Sequence, residues 1–202
     1  MKKFWIILFV VFVGAGVFIY LYIQDESTAS PHEAIAHRIG TGQIYEEIDV
    51  PKGRLIFYSR GSSIYADFVK ESWKGWKWGY GGGHTIPVYK QQAGKYEHVD
   101  FSSQYFPSIR GMGLYMPYPM LFGVITNPNV AYISVLSKQT GDNFRTAILS
   151  NGRDPYRIWF LRLDEVQGKQ FEISAVSSKH QILDVVELDE GSSPSNETIV
   201  NE

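Results

Sequence analysis

This chain contains no cysteine. That excludes disulfides, thiol nucleophiles and thiolate metal sites together. It also excludes a lipid-modified N-terminal cysteine. A basic excess is missing too: 19 Lys and Arg stand against 21 Asp and Glu, a formal charge of −2. No basic stripe is present to neutralise a phosphate track, so nucleic acid is not an expected partner. The acids are unevenly placed. Glu187, Asp189, Glu190, Glu197 and Glu202 close the chain with no base among them. Residues 191–202 are polar and Ser-rich and read as a disordered acidic tail.

Charge is absent altogether from Phe4 to Ile23, a run of twenty residues. A helix of that length is about 30 Å long, matching the hydrocarbon core of a bilayer. Lys2 and Lys3 precede it, and Asp25 and Glu26 follow. The positive-inside bias puts Lys2 and Lys3 in the cytoplasm and residues 24–202 outside. Trp5 near one end, with Tyr20 and Tyr22 near the other, suits an interfacial aromatic belt. The expectation is a single-pass anchor over 1–24 and a spacer over 25–29. The rival reading is a secretory signal cleaved near Ser27-Thr28-Ala29, which would leave a secreted protein. Signal cores usually hold about 7–15 apolar residues, and this run is longer. Both readings put residues 30 onward outside the cytoplasm.

Catalytic signatures are also missing. No serine sits in GxSxG or SxxK. His32-Glu33 is followed by His37, five residues on rather than the four of HExxH, so the two rings diverge on a helix. His84, His98 and His180 have no ligand spacing, and no calcium loop is visible. The glycines at 81–83 lack the Walker ending and do not complete GxGxxG. No metal and no cofactor is expected.

What the chain does hold is aromatic bulk: 12 Phe, 13 Tyr and 5 Trp. Each ring buries on the order of 150–250 Å² when enclosed, enough for a core without disulfides. Ser30-Pro31-His32-Glu33 is a helix start with a capping box, and Gly40 can end that helix. Ile35 and Ile39 then share a face. From Gln43 the pattern becomes alternating. Ile44, Ile48 and Val50, then Leu55–Tyr58, then Ile64, Ala66 and Phe68, then Trp73–Tyr80 read as four strands of an antiparallel meander. Gly81–Gly83 break the pattern. The stretch 81–119 is poorly periodic and reads as a functional loop or a boundary. Six further strands are expected, at 120–126, 130–136, 144–149, 156–163, 171–177 and 182–188, with Trp159 as a core anchor.

The fold class expected is α+β and predominantly antiparallel β. A helix and four-stranded sheet occupy 30–104, a Pro/Gly connector 105–119 and a small immunoglobulin-like β-sandwich 120–190. The densest local signal is the aromatic-glycine segment. Trp76, Trp78 and Tyr80 would share one face of a strand, with Trp73 before them and His84 after. Two readings stay open: core packing against Ile64, Ala66 and Phe68, or a partly exposed binding surface formed by Trp73, Trp76, Trp78, Tyr80 and His84.

Several stretches together resemble a family. They are Arg54-Leu-Ile-Phe-Tyr, Phe68-Val-Lys, Gly75-Trp-Lys-Trp, Gly81-Gly-Gly-His, Met116-Pro-Tyr-Pro, Phe122-Gly-Val-Ile, Asn127-Pro-Asn and Arg157-Ile-Trp-Phe. This set resembles small uncharacterised surface-anchored proteins and lipoproteins of spore-forming Gram-positive bacteria. The resemblance implies one exported domain and no assigned activity, so no functional residue carries over. The chain departs from that pattern in having no lipobox cysteine; the apolar helix would replace the lipid. The function expected is a non-catalytic binding module of the cell envelope. Its partners would be the membrane and an envelope protein, peptide or wall glycan. The alternatives are an extracytoplasmic wall hydrolase using His84 and carboxylates on the 81–119 loop, and a regulatory partner contacting another complex through the acidic tail.

Overall fold

Ser30 caps a short helix. Its Oγ accepts from the Glu33 amide at 3.2 Å, and Pro31 takes the first helical position without losing a hydrogen bond. The Glu33 carboxylate reaches back to the Ala29 amide at 3.0 Å, one residue short of the expected box partner. Helix α1 (Pro31–Ile39) ends at Gly40, φ 54°. The computed structural model describes residues 9, 11–16, 27–86, 101–190 and, for the backbone alone, 91–92 and 95–96. Residues 9 and 11–16 are helical and exposed, but most of the expected anchor and all of the acidic tail after Glu190 lie outside the described residues. Among the described residues no helix is long and apolar enough to cross a membrane.

Three four-stranded antiparallel sheets and two short two-stranded ones follow, with few helices. Sheet I is a meander of β1 (Gln43–Val50), β2 (Gly53–Arg60), β3 (Ser63–Ser72) and β4 (Gly75–Thr85) in chain order. Two-residue ribbons β5 (Gln91–Gln92) and β6 (Lys95–Tyr96) pair with each other. Then come β7 (Gln104–Phe106), the hairpin β8 (Ile109–Gly111) and β9 (Leu114–Met116), and β10 (Met120–Ile125). The last strands are β11 (Val130–Ser137), β12 (Asn143–Arg145), β13 (Ala147–Leu149), β14 (Arg157–Arg162), β15 (Gln170–Ser177) and β16 (Ile182–Asp189). A single 3₁₀ turn, Glu165–Gln167, precedes β15. Sheet II has the order β13-β14-β10-β7, and sheet III the order β12-β11-β15-β16.

Side-chain parity stacks these layers. In β2, Leu55 and Phe57 face sheet II, while Ile56 and Tyr58 face α1. In β10, Met120, Phe122 and Val124 meet sheet I, while Leu121 and Ile125 meet sheet III. Every residue of β10 is buried, so its apolar run never alternates. Phe57 lies 6.2 Å from Phe122 and 5.6 Å from Phe160 across the first interface. Trp159 fills the second and is fully buried, as its strand's two-sided apolar pattern predicts.

Four local expectations are corrected. The glycines at 81–83 do not break the sheet: β4 runs through them to Thr85. A Cβ at Gly81 or Gly83 would collide with the β3 backbone and with the Asp67 or Tyr65 side chain, so only glycine allows this pairing. Tyr80 does not share a face with Trp76 and Trp78. A register shift between Phe68 and Val69 inserts Gly79, turning Tyr80 toward sheet II while both tryptophans stay under α1. The tryptophan row and the Ile64–Ala66–Phe68 row therefore close on opposite faces. In β1 a second irregularity exposes Ile44 and buries Tyr45 instead. Finally, the strand expected at 144–149 is two strands in different sheets. The chain crosses at Thr146, whose amide donates to the Ile133 carbonyl at 3.0 Å.

Candidate functional site

The β3–β4 turn holds Trp73 and Lys74, and Trp73 is 79% exposed. Lys74 Nζ sits 5.3 Å from its ring centroid. Trp76 and Trp78 are half-buried and pack with Ile35, Tyr58 and Val69. Tyr80 stands edge-on to Phe106 at 5.2 Å between sheets I and II. His84 lies further along β4. The five residues expected to form one binding surface are thus spread over a turn, two opposite sheet faces and a strand end.

The aromatic row supports a polar core contact instead. Arg38 of α1 donates from Nε to Asp67 Oδ2 at 2.8 Å, and its guanidinium lies 4.4 Å from the Trp78 ring centroid. Tyr58 donates to the same oxygen at 3.1 Å. Asp67 has no exposed surface, and its Oδ1 lacks a hydrogen-bond partner. Burial, reinforced by the Asp67 charge, pushes the Tyr58 phenol well up, so it stays a neutral donor. Both groups face structural partners rather than a ligand.

Among the described residues His84 meets no acid. Its Nε2 lies 2.7 Å from Ser102 Oγ and its Nδ1 3.2 Å from Gln104 Oε1. A glutamine carbonyl accepts from Nδ1–H, which leaves Nε2 to accept from the serine hydroxyl. Burial lowers the His84 pKa, and the Gln104 hydrogen bond opposes this only partly. Ser102 Oγ also accepts from the Val124 amide at 3.1 Å. His98 lies outside the described residues. Among the described residues no group of three or more His, Asp or Glu is placed to hold a metal ion.

The feature no local motif announced is a cleft of about 610 Å³ beside sheets II and III. Tyr105, Pro107 and Pro119 give it an apolar side; Ser108, Glu165 and Gln170 are among its polar groups. Ser108 Oγ donates to Glu165 Oε1 at 2.9 Å, tying the β7–β8 link to the 3₁₀ turn. Gly168, φ 73°, lets Gln139 lie against the backbone where a side chain would collide. Burial raises the Tyr105 phenol, and Glu190 and Glu165 push the same way, so the hydroxyl stays protonated at neutral pH. Its volume falls within the range of about 300–1,000 Å³ usual for ligand sites. Among the described residues the lining holds donors, acceptors, one carboxylate and one ammonium. Its residues come from four separated segments. The prolines of the aperiodic 81–119 stretch were the one sequence signal pointing to it.

No protein-family model, curated protein or solved structure matches this chain.

Proposed function

We propose that this chain is a single-pass, membrane-anchored extracytoplasmic module that binds an envelope ligand without catalysis. The observation that carries the reading is the Tyr105–Pro119 cleft, where a ring and two prolines adjoin hydrogen-bonding groups of both kinds. Wall glycans and peptides both present apolar faces between polar groups, which is the chemistry such a lining takes. The charge-free run from Phe4 to Ile23 supports the anchor, with residues 1–3 inside. The reading includes an immunoglobulin-like sandwich for sheets II and III, supported by their shared core around Trp159. It also includes kinship with the surface proteins of spore formers, supported by the motifs given above.

The test uses the full chain in micelles, titrated separately with glycan strands stripped of peptide and with free stem peptides. One of the two is expected to bind. Ser108→Trp, which fills the cleft, abolishes binding while the melting temperature stays within a few degrees. Unchanged binding in that variant, or no binding of either ligand, removes the cleft from the function.

The hydrolase alternative keeps one supporting contact, the 2.7 Å approach of Ser102 Oγ to His84 Nε2. The Val124 amide on the same oxygen weakens it as a nucleophile. A serine-directed fluorophosphonate decides: labelling lost in Ser102→Ala supports the enzyme, and an unlabelled parent chain ends that reading.

A further inference from the structure

We infer that the β3–β4 turn rests on the surface of the membrane that holds the anchor, with Trp73 in the headgroup layer and Lys52 and Lys70 beside it facing anionic lipid. The inference deepens the anchored reading and rests on it. Three observations carry it.

The first is where the chain enters the fold. Thr28 makes a two-way backbone bridge with Trp76, Thr28 N to Trp76 O at 2.8 Å and Trp76 N to Thr28 O at 2.9 Å. Thr28 Oγ1 adds a bond to the same carbonyl at 3.2 Å. Gly75, φ 123°, allows this approach, because a Cβ there would strike the Thr28 carbonyl. The apolar run ends at Ile23, five residues before Thr28. Five residues span at most about 18 Å. The bridge therefore ties the turn, and not some other end of the fold, to the point where the chain leaves the apolar run.

The second is exposure. Trp76 and Trp78 are packed under α1, but Trp73 stands out at 79% exposure, an indole with no core to fill. Trp is the side chain best suited to a bilayer interface, apolar in body with one donor.

The third is charge. Trp73 stands between two shallow recesses. One includes Lys52, Lys70 and Tyr115, the other Lys70, Lys74 and Lys77. Glu71 also lines the first recess. Lys70 Nζ lies 4.6 Å from the Tyr115 ring centroid, so its stem runs over apolar surface with the charge at the rim. Lys52 and Lys70 beside one exposed indole complement an anionic headgroup layer.

The chain has no cysteine, so single introduced cysteines label uniquely. Full-length protein is placed in phosphatidylcholine vesicles with or without phosphatidylglycerol. Fluorophores go on Glu71→Cys beside the turn, on Thr140→Cys in the exposed β11–β12 turn of sheet III, and on Phe12→Cys in the apolar run. Quenching by headgroup-level nitroxide lipid is expected to be several-fold stronger at 71 than at 140. Trp73→Ala lowers the signal at 71 toward that at 140. Phosphatidylglycerol raises it, and Lys52→Gln with Lys70→Gln removes that rise. If Phe12 is quenched from the acyl layer but the signal at 71 ignores Trp73→Ala, the tether alone explains proximity and the lipid contact is overturned. A Phe12 label that stays in water overturns the anchor, and this inference with it.

Discussion

Arg38 and Asp67, twenty-nine residues apart, meet at 2.8 Å where α1 crosses sheet I, with the carboxylate entirely withdrawn from solvent. Removing the guanidinium strands a buried charge, which costs more than the pair itself contributes. Arg38→Met is therefore expected to lose about 3 kcal/mol in chemical denaturation. Adding Asp67→Asn should recover part of that loss. A single Arg38→Met variant as stable as the parent would show that the contact does not hold the helix down.

Gly81 and Gly82 are neighbours with opposite tolerance. A Cβ at Gly81 would run into the Asp67 carboxylate and the Ala66 carbonyl, whereas at Gly82 it meets only Phe106 ring atoms at 3.6 and 3.7 Å. Gly81→Ala should destabilise by about 2 kcal/mol through overpacking. Gly82→Ala should be neutral or gain about 0.5 kcal/mol through the unfolded chain. Thermal melts of the two variants side by side check the order, and equal melting temperatures would refute it.

Trp73 and Trp78 separate the surface from the core. Trp78→Ala removes a ring packed under α1 and the face on which Arg38 rests, a loss of about 2–3 kcal/mol. Trp73→Ala touches no core and should stay within about 0.5 kcal/mol of the parent. A large loss from Trp73→Ala would place that residue in a packed interface.

His84 gives folding a pH dependence of definite sign. Its folded pKa lies below the unfolded value of 6.5, because burial disfavours the imidazolium. The unfolded chain then binds the proton first as pH falls. The stabilisation is full above about 6.5 and is lost as pH drops through the folded pKa. His84→Gln should flatten that part of the stability curve. Parallel curves for the parent and His84→Gln would show that the buried ring contributes nothing.

Much of the fold was legible along the chain because its causes are local. The Ser30–Pro31–Glu33 start, the hairpin turns and the apolar strand runs each depend on a few neighbouring residues. A period-2 reading puts Tyr80 on the tryptophan face because it cannot see the residue inserted at Gly79, which reverses every later side chain. The 144–149 strand was read whole because nothing in its composition marks Thr146 as the point where its hydrogen bonds change sheets.

Read along the chain alone, the residues establish a bilayer-length apolar run, a capped helix and β-strands rich in rings, and close thiol chemistry to the protein. Tertiary structure alone decided that Asp67 meets Arg38, that His84 meets Ser102, and that four distant segments enclose one cleft. The division is physical. Capping, turns and alternation are settled by bonds within a few residues, whereas these contacts exist only once layered sheets bring remote strands within a few ångströms.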